Sequence, residues 1–115
     1  MSGTLVINEH DTWTVAGWLF DNVLERVSSR VDASSHELAC LLREGATDVN
    51  GGFVDLSPLS SVRMHDLLTA LEGLRAATVA QGPSSFHAPE FFDGYVTQMN
   101  LLIDMVRRDT RMAAP

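Results

Sequence analysis

Residues 60–81 read SSVRMHDLLTALEGLRAATVAQ, followed by Gly82-Pro83. Met64, Leu67, Leu68, Leu71, Leu74, Thr78 and Val79 recur at the three- and four-residue steps of one helix face, and a Ser60 or Ser61 cap and the Gly-Pro pair bound the run. A second long helix is predicted from Pro89, a good first-turn residue, to about Met112. Its stripe is Phe91, Phe92, Tyr95, Val96, Met99, Leu102, Ile103 and Val106. Two periodic helices joined by the short linker 82–88 should pack as an antiparallel pair, which makes this a mainly α fold.

Working toward the N-terminus, Thr12 to Val31 predicts another helix, with Trp13, Ala16, Phe20, Val23, Leu24, Val27 and Val31 on one stripe. Ser35 to Glu44 predicts a short one, with a capping box in Ser34-Ser35-His36-Glu37 and a stop at Gly45. Strands are the minor element. Asn50-Gly51 between Thr47-Asp48-Val49 and Gly52-Phe53-Val54-Asp55-Leu56 predicts a hairpin, and Thr4 to Ile7 can add a third strand. The expectation is one α+β domain over residues 1–115. Four helices form a small bundle with a two- or three-stranded antiparallel sheet, in the order β-α-α-β-β-α-α.

Val54-Asp55-Leu56-Ser57 before an amphipathic helix resembles the middle of anti-sigma-factor antagonist domains. Those domains continue with an Asp-Ser-Ser-Gly type of turn, where this chain has Val62-Arg63-Met64-His65, so nothing of their function is carried over.

The chain has no lysine. Its eight basic residues are all arginines, set against 15 carboxylates for a net charge of −7. Lysine-dependent chemistry is therefore closed to it: no side-chain Schiff base can form, and no P-loop lysine can reach a phosphate. An ammonium-rich surface for nucleic acid or anionic membrane is also missing. A GC-rich genome, which is poor in lysine codons, is a sufficient explanation of the composition. The excess charge is concentrated in residues 1–55, which hold nine carboxylates and three arginines. Such a face can steer a basic partner, and it also keeps a small protein soluble.

A single Cys40 makes no internal disulfide, and no apolar run approaches the roughly 18 residues of a membrane span. With no signal peptide legible, the expected location is cytoplasmic. The four histidines, His10, His36, His65 and His87, stand too far apart for familiar metal spacings, and Glu9-His10-Asp11 are consecutive loop residues. The serine pairs sit at turns and caps, and Cys40 lies among Leu38, Leu41 and Leu42 as an expected buried, inert thiol. No catalytic residue, cofactor or metal is expected.

Two surfaces look unfinished. Trp18 points roughly 180° from its helix's apolar stripe, toward Asp21, Asn22, Glu25 and Ser29. Either another element covers this indole, the loop carrying Phe86 for instance, or a partner does; Trp18, Asp21 and Glu25 then form the protein-binding site. On the last helix, Gly94, Leu101, Met105 and Met112 make a second stripe at 7-4-7 spacing, so Leu101, Met105 and Met112 are the candidate homodimer seam.

The expected function is a small acidic protein-binding module, in its specific form an inhibitor or immunity-type protein that neutralises a basic partner. One alternative is a homo-oligomeric helical scaffold or accessory protein. Another is a small-molecule-binding domain or enzyme with a pocket near residues 86–92, under Phe86, His87, Phe91 and Phe92.

Overall fold

The computed structural model describes residues 2–46, 52–86 and 88–112. Two antiparallel strands come first, β1 (Ser2–Val6) and β2 (Thr12–Ala16), paired from Ser2↔Ala16 to Val6↔Thr12. The turn between them is closed by Asn8, whose Oδ1 accepts from the backbone N–H of both His10 and Asp11 at 2.8 Å. Helix α1 (Gly17–Val31) follows β2 with no intervening loop, then α2 (His36–Ala46). Strand β3 (Phe53–Asp55) pairs parallel to the other side of β1, with Leu5 opposite Val54. The last two helices are α3 (Ser61–Gln81) and α4 (Phe92–Arg108).

The mainly α, α+β class with four helices and a three-stranded sheet is as expected. The order and the sheet differ in detail: the chain runs β-β-α-α-β-α-α, the strand order is β2-β1-β3, and the sheet is mixed. Thr12–Ala16 is a strand and not the first turn of the helix. Its side chains alternate, with Trp13 and Val15 buried and Thr12, Thr14 and Ala16 exposed, and threonine, valine and tryptophan suit a pleated surface. Pairing with β1 supplies backbone partners that an isolated helical turn would lack. The partner foreseen for β3, Thr47-Asp48-Val49, lies outside the described residues together with the Asn50-Gly51 turn. β3 pairs with β1 instead: the N–H of Thr4 donates to the Gly52 carbonyl at 2.7 Å, and that of Leu56 to Val6 at 2.8 Å. Gly52 holds φ +72°, which a side chain would strain.

All helices pack on one face of the sheet. Leu5, Trp13, Val15 and Val54 point into a core shared with Phe20, Val23, Leu24 and Val27 of α1, Leu38 and Leu42 of α2, Met64, Leu67 and Leu71 of α3, and Tyr95, Met99, Leu102 and Ile103 of α4. Three cross-links establish that α3 and the chain after Phe92 run antiparallel. The Ser61 hydroxyl donates to the Arg111 carbonyl, Glu72 pairs with Arg107, and Arg75 donates to Asn100.

Caps are where local chemistry puts them. Ser60 accepts from the N–H of Arg63 at 3.3 Å, and Ser35 from that of Leu38 at 3.2 Å. Gly45, in contrast, does not end α2. It lies buried inside the helix, where an added Cβ would fall 2.1 Å from Cγ2 of Val54. The glycine is there so that α2 can cross β3 at close range. Gly45→Ala should therefore destabilise the protein by about 1–3 kcal/mol, although alanine is the better helix former. A urea midpoint equal to or above the parent's would show that α2 can shift to make room.

Candidate functional site

Five of the eight aromatic residues meet where α1 passes the α3–α4 connection. Tyr95 is fully buried at the base. Phe86 stands edge-on to it at 5.1 Å, and Phe92 edge-on to Phe86 at 5.6 Å. The Trp18 indole lies over Tyr95 at 6.5 Å and leans on Phe91 at 5.6 Å, and still has 50% of its surface exposed. Offset and edge contacts of this kind add about 0.5–1.5 kcal/mol each beyond area burial and hold the rings in place.

Of the alternatives foreseen for Trp18, cover by another element is thus partial: Phe91 and Tyr95 support the ring, and its remaining face looks outward. Between these rings is a cleft of about 420 Å³, walled by Trp18, Phe86, Phe91 and Tyr95 with Ala88, and closed on the α1 side by Asn22 and Arg26. A shallower depression of about 300 Å³ lies across Trp18, between β2 and α4, with Glu90 at its edge. Trp18 forms the ridge between the two.

The polar wall of the larger cleft has a defined character. The Tyr95 hydroxyl donates to Asn22 Oδ1 at 2.7 Å, and burial raises the Tyr95 pKa above its usual value, so the phenol stays protonated as a donor. That bond uses one of the two lone pairs on Oδ1, and the Asn22 amide also carries two N–H donors. Arg26 has no carboxylate partner among the described residues.

The other predicted site residues are placed as follows. Asp21 is half-buried on α1. Glu25 is exposed and borders a shallow depression with Ser28, Ser29 and Arg43, away from the aromatic cleft. Leu101 is 44% exposed on α4, whereas Met105 and Met112 pack largely against this chain's own core. The stripe does not continue to Met112, because α4 ends at Arg108 and Thr110–Met112 form a separate 3₁₀ turn. His87 lies outside the described residues. Sequence reasoning missed Arg26 as a site residue. The available signal was its spacing, since Trp18, Asn22 and Arg26 lie at successive steps of four on α1.

Cys40 also differs from expectation. It is half-buried, not sealed in the core, and its Sγ lies 3.4 Å from Nε2 of His36. His36 Nδ1 is 3.0 Å from Asp32 Oδ1, and Arg43 donates to Asp32 Oδ2 at 3.1 Å. Hydrogen bonds from His36 and then Arg43 lower the Asp32 pKa. This chain of contacts ties the end of α1 to α2.

At the opposite end of the molecule, Arg111 does more than close a helix. Its guanidinium donates to the carbonyls of Ile7 (2.7 Å), Leu56 (2.7 Å) and Leu59 (2.8 Å), and to both oxygens of Asp109 at 2.7 and 2.9 Å. Asp109, only 2% exposed, also accepts from Asn8 Nδ2 at 2.8 Å. This network is structural: it joins the end of β1, the β3–α3 loop and the chain after α4.

Among the described residues, no group of three or more His, Cys, Asp or Glu side chains is placed to hold a metal ion, and no helix is long and apolar enough to cross a membrane. No protein-family model matches the sequence, and no curated protein matches it. The fold is similar to that of a solved structure. A chain of the complex described as a CdiA-CT toxin from Burkholderia pseudomallei E479 with its cognate CdiI immunity protein superposes with a TM-score of 0.77. It is 22% identical, over 96% of this chain and 98% of that one.

Proposed function

We propose that this chain is an immunity-type inhibitor that binds a basic toxin domain through the Trp18 side of α1. The observation that carries the reading is Trp18 itself. The indole is held by Phe91 and Tyr95 yet half exposed, and Asp21 and Glu25 lie on the same helix. A large aromatic already fixed in position loses little conformational freedom on binding, which is the property of an interface anchor. The fold supports the reading, because the similar chain comes from a toxin–immunity pair. Of the two roles in such a pair, inhibitor suits this composition. A lysine-free chain of net charge −7 offers little to a nucleic acid and complements a cationic protein surface.

The experiment is direct binding to the protein encoded immediately upstream of this chain, together with protection of cells that express that protein. Asp21→Asn combined with Glu25→Gln should slow association several-fold at low salt. The deficit should shrink as ionic strength rises past about 0.15 M, because charges outside a desolvated interface act by steering over roughly a Debye length. An association rate indifferent to both the substitutions and the salt removes these carboxylates from the interface.

A further inference from the structure

We infer that the cleft between α1 and the α3–α4 connection is a binding site for a small planar aromatic carboxylate. The inference is independent of the toxin-binding reading and can hold where that reading fails.

The volume of the cleft, about 420 Å³, falls in the range of about 300–1,000 Å³ typical of small-molecule sites, which are apolar with a few fixed polar groups. Its walls are ring faces and edges from Trp18, Phe86, Phe91 and Tyr95, which suit a flat ligand by stacking. Among the described residues its polar side is made by the Asn22 amide, the Tyr95 hydroxyl and the Arg26 guanidinium. The Tyr95 hydroxyl takes one of the two lone pairs of Asn22 Oδ1, the amide also offers two N–H donors, and beside it stands the Arg26 guanidinium, which has no acceptor atoms at all. A ligand bearing its own cation would face Arg26 with like charge. A ligand bearing only a hydroxyl or amide donor would find no acceptor on Arg26. A carboxylate satisfies both groups, since guanidinium and carboxylate match as two parallel N–H···O bonds and the weakly hydrated guanidinium loses little on leaving water. The occupant therefore has one or two fused rings against Trp18 and Phe86, and a carboxylate toward Arg26 and Asn22.

The test uses indole-3-acetate and its neutral counterpart indole-3-acetamide, titrated into the ¹⁵N-labelled protein. The Trp18 ring N–H and the Asn22 side-chain amide serve as reporters, and the buried Trp13 ring N–H as internal control. Saturable shifts at Trp18 and Asn22 are expected, with the carboxylate binding about tenfold tighter than the amide, the ratio supplied by one charge-assisted hydrogen bond. Arg26→Gln, a change at an exposed position, should leave the spectrum folded and bring the two ligands to equal affinity. No saturable shift up to about 10 mM overturns the inference. So does equal binding of acid and amide by the parent protein, or a preference that survives Arg26→Gln.

Discussion

Asp109→Asn should cost the fold about 3–5 kcal/mol, because it leaves the Arg111 guanidinium enclosed without its countercharge. Arg111→Lys should cost a comparable amount despite keeping the charge. Lysine offers three donors on one nitrogen, where Arg111 uses a planar fork to reach three carbonyls and a carboxylate at once. Replacing both residues by apolar ones should not rescue stability as it does for a simple buried pair. The carbonyls of Ile7 and Leu59 would lose their Arg111 donor, while that of Leu56 keeps the N–H of Leu59, and each such loss costs about 1–3 kcal/mol where the group stays buried.

The same site sets an acid limit. Hydrogen bonds from Arg111, opposed by burial and reinforced by Asn8, hold the Asp109 carboxyl well below the usual carboxylate range. A group depressed in the folded state contributes stability above its unfolded value, about 3.9 for aspartate, and loses it as pH falls through that value toward the folded one. The parent should therefore lose stability between pH 5 and pH 2, and Asp109→Asn should flatten that stretch of the curve. Urea midpoints at pH 7 and pH 3 for both proteins are decisive. Equal acid sensitivity of parent and variant would assign the loss to other carboxylates, Asp32 and Asp55 among them, whose values are also lowered.

Trp18→Ala should weaken binding of the toxin domain by about 2–4 kcal/mol, a factor of about 30 to 1,000 in Kd, carried mainly by faster dissociation. Its effect on folding should be smaller, about 1 kcal/mol, because half of the indole is already in water and the lost contacts are those to Phe91 and Tyr95. Calorimetric titration against a denaturation curve for the same variant separates the two. A large loss of stability with an unchanged Kd would make Trp18 a packing residue and place the docking face elsewhere.

The sequence by itself determined the long helices, their facing sides and most of the core. The α3 run keeps helical spacing from Met64 to Thr78, and Ser60 and Gly82 punctuate it without help from the rest of the chain. It also determined that Trp18 stands off the apolar stripe and that lysine chemistry is absent. Tertiary structure decided the short and ambiguous segments. Trp13 fits a helical stripe with Ala16 as well as a two-residue alternation with Val15, and only the neighbouring β1 makes the segment strand. Gly45 looks like a helix stop to any local rule, whereas its reason is Val54, nine positions away on another element. Arg111 carries a charge that suits a helix end, but its partners Ile7, Leu56 and Leu59 lie 104, 55 and 52 residues back along the chain. The candidate site divides in the same way. The shared face of Trp18, Asn22 and Arg26 follows from helical spacing. Its meeting with Phe86, Phe91 and Tyr95, and the cleft that results, depend on how the α3–α4 connection folds back, which no local interaction specifies.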